Sequence, residues 1–216
     1  MNEACSMVLM PPSWQWLGRQ PYLPLWQRMQ RRACDIAGGR DEEVIWSCEH
    51  EPVYTTGRRG IDNRMMAELP APLLRIDRGG ETTFHGPGQL LLYPVIHLRR
   101  RGIRVRDYVH MLEQSCIDVL AGMDIDAGRR CGFPGVWIGA GKVAALGVRV
   151  ANGVVYHGMA LNLDVEPHWF QAINPCGLTL SAVNAKDYAD LPPMARVADS
   201  WCGRCAEIIL SRLTRE

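Results

Sequence analysis

Residues 142–163 read K-V-A-A-L-G-V-R-V-A-N-G-V-V-Y-H-G-M-A-L-N-L. Two apolar, β-branched runs flank Asn152-Gly153, a pair that tolerates the positive φ a type I′ turn demands at both central positions. The stretch therefore predicts an antiparallel hairpin of strands 142–150 and 154–163. Just before it, G-V-W-I at 135–138 reads as a further strand. Further upstream, Tyr108, Met111, Leu112, Ser115, Cys116, Val119 and Leu120 fall on one face of a helix from Asp107 to Leu120, with Asp107 as N-cap and Gly122 as the stop. Strands are expected at V-I-W-S-C (44–48), L-L-R-I-D (73–77) and Q-L-L-L-Y-P-V-I-H-L (89–98), with a loop over 49–60. Trp26, Met29, Ala33 and Ile36 give helical spacing between Pro24 and Gly38, and Ala206, Ile209, Leu210 and Leu213 mark a C-terminal amphipathic helix. Antiparallel hairpins mixed with helices argue for an α+β fold, a mixed or antiparallel sheet flanked by helices, rather than a doubly wound parallel sheet. Without repeats or a linker, residues 21–216 are expected to form a single domain behind a flexible segment, 1–20.

Composition narrows the function classes. The 216 residues are 47% hydrophobic and 22% charged with a net charge of +1, so nothing global favours nucleic acid. The longest apolar run, Leu90 to Ile96, is broken by Pro94 and too short to span a bilayer. The N-terminus has neither a basic start nor a long hydrophobic stretch, so it does not read as a signal peptide. Eight cysteines scattered through such a chain read as reduced thiols in a cytoplasmic protein. Five arginines between Arg99 and Arg106 suggest a solvated loop or a patch that steers an acidic partner.

Three segments carry candidate chemistry. Residues 78–89, R-G-G-E-T-T-F-H-G-P-G-Q, hold four glycines, which bring backbone close to a ligand and should preclude regular structure. Lys142 and Lys186 are the only lysines of the chain, and Lys142 opens an otherwise apolar strand, where partial desolvation lowers an amine pKa. Cys176 sits in N-P-C-G, a turn that can present a thiol to a substrate, and a nucleophilic thiol needs a nearby base or cation. Spacing alone leaves a buried cysteine and a snorkelling lysine open as alternatives. His85 is a base, a substrate contact or a structural histidine, and Gly158 and Ala160 beside His157 leave room against the sheet. The W-C-G-R-C at 201–205 reads as two thiols on the terminal helix, because too little chain follows for a thioredoxin fold and no second cysteine pair offers zinc its ligands.

Together these segments resemble the lipoyl(octanoyl) transferase family of the biotin/lipoate–protein ligase superfamily. Arg78 to Gln89 matches R-G-G-x-x-T-x-H-x-P-G-Q at every fixed position. G-V-W at 135–137, K-V-A-A-L-G-V-R-V at 142–150, H-G-M-A-L-N at 157–162 and P-C-G-L at 175–178 follow in the family's order. Sister ligases lack the P-C-G cysteine. Ala182 to Ala185 reads A-V-N-A where the family has V-T-S, and the first thirty residues match poorly. The resemblance implies a biotin/lipoate–protein ligase-like fold and transfer of an octanoyl group from octanoyl-acyl carrier protein to a lysine of lipoyl domains. The acceptors would be 2-oxoacid dehydrogenases and the glycine cleavage H protein. It implies Cys176 as the nucleophile that forms an acyl-thioester and Lys142 as the residue that lowers its pKa. Arg78, Gly79, Gly80, Glu81, Thr82, Thr83, Phe84 and His85, with Ala145, Leu146, Gly147, Gly158, Met159 and Ala160, would hold the acyl chain. No ATP, metal, nucleic acid or membrane is expected to take part, and the protein is expected to be a monomer.

Overall fold

The computed structural model describes residues 10–58, 60, 69–173 and 181–211. Strand β1 (Ser13–Gln20) leads into helix α1 (Tyr22–Ala37), then β2 (Val44–His50), β3 (Val53–Thr56), β4 (Leu73–Arg75), β5 (Thr82–His85) and β6 (Gln89–His97). Helix α2 (Val105–Ala121) precedes β7 (Gly128–Arg130), β8 (Phe133–Ile138), β9 (Gly141–Ala151) and β10 (Val154–Asn162). A one-turn helix α3 (His168–Gln171), a 3₁₀ turn at Ala185–Asp187 and helix α4 (Met194–Ser211) follow. Seven strands form one sheet in the order β1-β2-β6-β10-β9-β8-β7, and β4-β3-β5 form a second. The large sheet is antiparallel throughout except for the β1–β2 pair, so the fold is α+β with mixed sheets flanked by helices.

The predicted hairpin is present. β9 and β10 pair from Ala151↔Val154 to Ala144↔Leu161, and Asn152 and Gly153 have φ of 51° and 82°. Both faces of the large sheet are covered, which explains why β6 reads as an almost unbroken apolar run. Leu91, Tyr93 and Val95 pack beneath Met29, Ala33 and Ile36 of α1. Leu90, Leu92 and Ile96 face the other way, against Leu112 and Cys116 of α2 and Trp201, Cys205 and Ile209 of α4. Trp201 is fully buried and donates to Ser115 Oγ at 3.0 Å, joining the two helices.

Pro94 breaks this regularity at the middle of the sheet. It has no N–H to donate, and the β6–β10 ladder skips from Ile96↔Val155 to Leu92↔Met159 around it. His157, in that gap, takes a φ of 59°, rare for a residue with a side chain. Next to it Gly158 lets the strands close up: a Cβ there would stand 2.0 Å from Leu92 O. The ladder defect is what turns His157 toward the neighbouring loop.

Other segments differ from their sequence reading. Residues 13–20, expected to be flexible, form β1, because the exposed edge of β2 supplies backbone partners from Ser13↔Val44 to Gln20↔His50. Residues 53–56 of the expected loop are β3, and Thr82–His85 of the glycine-rich stretch are β5, each completing the other's hydrogen bonds. Asp107 is not the N-cap of α2. Arg104 holds that place, and Asp107 accepts from its Nε at 2.8 Å within the first turn. α4 begins at Met194, well before the expected helix, and the two thiols of W-C-G-R-C lie on it, buried.

Candidate active site

The glycine-rich loop lies over β9 because backbone meets backbone there. Gly79 N–H donates to Val148 O at 3.1 Å, and a Cβ on Gly147 would stand 2.9 Å from Gly79 O. Arg78, only 7% exposed, anchors the loop to β3: Nη2 donates to Thr55 O at 2.7 Å and to Thr55 Oγ1 at 2.9 Å. Between loop and sheet is a cavity of about 390 Å³. Arg78, Gly80, Glu81, Thr82, Thr83 and His85 line it from the loop side. Ala145, Leu146 and Gly147 of β9 and Gly158, Met159 and Ala160 of β10 line it from the sheet. Lys142 also borders it.

Two residues named from the sequence do not line this cavity. Gly79 is spent on the backbone contact with β9. Phe84 points to the opposite side of β5, as alternate strand residues do. There it is fully buried and stacked on Trp169, with ring centroids 4.6 Å apart. Cys176 lies outside the described residues. Cavity residues that the sequence reading did not single out for the site are Tyr22, Leu91, Tyr93, Gly132, Phe133, Pro134 and His157. Alternation along β6 carries a signal for Leu91 and Tyr93, while Tyr22 is remote in sequence and carries none.

Lys142 is half-buried at the start of β9. Its Nζ donates to Pro134 O at 3.1 Å and stands 4.8 Å from the Trp137 ring centroid. Burial lowers its pKa, with the carboxylate of Glu113 working against that shift. Glu113 is itself buried, accepting from Gly135 N at 2.9 Å and Arg129 Nε at 3.0 Å, and so braces the strand facing Lys142. The Lys142 backbone pairs with residues 181–183: its N–H donates to Ser181 O at 2.8 Å and its carbonyl accepts from Val183 N at 3.1 Å.

Three histidines surround the loop, all disfavoured as cations. His50 donates from Nδ1 to Gln20 O at 2.8 Å and accepts from Tyr93 OH at 2.9 Å, and burial lowers its pKa to about 4. His85 stacks on Tyr22 with centroids 5.7 Å apart, and burial holds it well below the usual imidazole range. His157 donates from Nε2 to Asp77 at 2.9 Å; burial lowers its pKa and the carboxylate opposes the shift. Asp77 also accepts from Trp26 at 3.0 Å and from Tyr156 OH. Burial works against ionisation there, but these donors prevail and keep Asp77 below the ordinary carboxylate range.

Four of the other thiols are withdrawn by burial. Burial raises Cys202 to about 12, and Cys48, Cys116 and Cys205 are raised by burial as well, so all four stay protonated thiols. The arginine run is partly consumed: Arg101 is buried on Glu43 and the Met10 carbonyl, and Arg104 holds Asp107. Among the described residues no cluster of His, Cys, Asp and Glu is placed to hold a metal ion, and no helix is long and apolar enough to cross a membrane.

Residues 22–203 match the lipoyl protein ligase A/B catalytic domain family. The chain is 45% identical over 184 residues to an octanoyltransferase of Aromatoleum aromaticum, covering 85% of this chain and 79% of the relative. It is 46% identical over 183 residues to an octanoyltransferase of Dechloromonas aromatica, covering 83% and 87%. In fold it is similar to a bi-partite lipoate protein ligase of Thermoplasma acidophilum, with a TM-score of 0.69 at 16% identity over 93% of this chain and 84% of that one. A lipoate-protein ligase A bound with ATP gives 0.67 at 16% identity over 92% and 85%. The chain therefore belongs to the lipoyl protein ligase A/B catalytic domain family and, within it, to the octanoyltransferases, which are acyltransferase enzymes.

Proposed function

We propose that the protein carries an octanoyl group from octanoyl-acyl carrier protein to a lysine of lipoyl domains through a thioester on Cys176, with no ATP and no metal. The observation that carries this reading is Lys142: a lysine of lowered pKa bordering a cavity of about 390 Å³, in a strand paired with residues 181–183, shortly after Cys176 in the chain. Ser181, bonded to Lys142, is five residues past Cys176, a reach of at most about 18 Å of extended chain. Lys142 in its neutral form takes the thiol proton, and the thiolate attacks the acyl carbonyl of the donor. The carrier's thiolate leaves and takes the proton back. An amine of the acceptor then displaces Cys176 and forms an amide. Exchange between thioesters is close to neutral and the amide is more stable, so no phosphate bond is needed.

The cavity, lined by Leu91, Ala145, Leu146, Met159 and Ala160, offers the aliphatic chain an apolar wall. The acceptors in this reading are the lipoyl domains of 2-oxoacid dehydrogenases and the glycine cleavage H protein. Residues 21–216 act as a single catalytic domain, as a monomer in the cytoplasm. The test is transfer with octanoyl-acyl carrier protein and an unmodified lipoyl domain, without nucleotide. Octanoylated lipoyl domain is the expected product. A requirement for ATP together with free acid as donor would overturn the proposal in favour of a ligase.

A further inference from the structure

A directed chain of hydrogen bonds runs from the cavity to the segment paired with the strand that bears Lys142. It ends at Val183 O, a backbone carbonyl, which can only accept. Asn162 Nδ2 donates to it at 3.3 Å, which leaves Asn162 Oδ1 to accept from Gln89 Nε2 at 2.9 Å. Gln89 Oε1 is then left to face His85 Nδ1 at 2.7 Å. An amide oxygen has no proton to give, so His85 must donate from Nδ1. Turning either amide over would set oxygen against oxygen or N–H against N–H among residues only 2–7% exposed. The terminal carbonyl thus dictates the tautomer three links away.

We propose that Gln89 and Asn162 are positioning residues that fix His85 in its Nδ1-protonated tautomer, so that the Nε2 lone pair takes a proton from the acceptor lysine's amine. This rests on the Cys176 thioester reading above. A neutral imidazole is required, and the surroundings supply one. Among the described residues, the titratable and charged groups facing His85 are Tyr22 of α1, His50 of β2, Arg78 of the loop and His157 of β10, none of them a carboxylate. Burial, above all, and then His50 disfavour the imidazolium; the bond to Gln89 works the other way, and Arg78 and His157 add smaller opposition to the charge. The ligand chemistry also selects. An acyl chain and its carbonyl present no N–H to a lone pair, whereas an incoming amine does. In the discharge step the amine nitrogen bonds to the acyl carbon as the C–S bond breaks, and its electron pair stays on sulfur. The amine proton passes to His85 Nε2 and then to the Cys176 thiolate, restoring both groups. Because Val183 N also donates to Lys142 O at 3.1 Å, the same chain ties this base to the strand that activates the thiol.

Rapid-quench measurement of the two half-reactions tests the division of labour: acylation by octanoyl-acyl carrier protein, and discharge of the preformed acyl-enzyme onto a lipoyl domain. Asn162→Leu should lower the ratio of discharge to acylation rate by about 10², the lower end of what a general base contributes. Gln89→Glu places a carboxylate against Nδ1–H and raises the His85 pKa, so discharge should fail at low pH and recover as pH rises. Equal losses in both half-reactions, with no shift of the pH profile, would overturn the proposal. Long-range ¹H–¹⁵N correlation spectra of the unmutated protein provide a second reading that needs no variant. They should show His85 protonated at Nδ1, and an Nε2-protonated ring would equally overturn it. A wild-type protein that forms no acyl-enzyme would sink the Cys176 reading, and this inference with it, an outcome distinct from a normal acyl-enzyme that discharges independently of His85.

Discussion

At the scale of single residues, the proposed chemistry turns on how Lys142 is held. A lysine in water is a poor base at neutral pH because almost all of it is protonated. Half-burial above the Trp137 ring shifts it toward the neutral amine, and Glu113 keeps that shift from running further. In the proposed reaction the neutral amine is the active form, so transfer should rise with pH and level off below the ordinary lysine pKa of 10.5. Lys142→Arg keeps the charge but cannot give up its proton at any accessible pH. Transfer in that variant should drop by about 10²–10⁴, the usual contribution of a general base. Near-normal kcat/KM would show that a positive charge alone suffices. Lys142 was legible in the sequence because it is one of two lysines and opens an apolar strand. The Asp77–His157 pair was not, since eighty residues separate them and only the Pro94 gap turns His157 toward the loop.

At the scale of elements, β6 and β10 form the centre of the sheet and also part of the cavity wall. Gly158 sets their separation, with the position of a Cβ only 2.0 Å from Leu92 O. Gly158→Ala must push the strands apart or strain them, which should cost about 1–3 kcal/mol as overpacking does and lower the midpoint in a calorimetric scan. An unchanged midpoint would mean that the sheet gives way freely there. The sequence made β6, β9, β10, α1 and α2 readable because each carries a sustained apolar period or a turn signal. It concealed β3, β5 and β7, which are only three or four residues long and acquire strand geometry from their partners. It concealed β1 as well, none of whose residues is buried and which carries no alternating pattern. Phe84 was misassigned for the same reason: with no strand expected at 82–85, nothing indicated that it would face away from Thr83 and His85.

At the scale of the whole molecule, a sheet covered on both faces leaves the site histidines in surroundings that exclude their charged form. His50 titrates near 4 when folded and near 6.5 when unfolded, so below 6.5 the unfolded chain binds the extra proton. Its contribution is fully present above pH 6.5 and is lost as pH falls toward 4, amounting to about 3 kcal/mol at 1.36 kcal/mol per pH unit. His85 and His157 act in the same direction. Urea denaturation should therefore show stability level above pH 7 and falling steadily below 6.5, with a shallower fall in His50→Gln. A pH-independent midpoint from 7 to 4.5 would contradict the buried neutral histidine. Fold, site and proposed chemistry converge on one covalent species, and intact-protein mass spectrometry detects it directly. After incubation with octanoyl-acyl carrier protein and no ATP, the protein should gain a single octanoyl group that hydroxylamine removes, and Cys176→Ser should gain none. Absence of the adduct at every sampling time, or an equal adduct on Cys176→Ser, would contradict a thioester at Cys176.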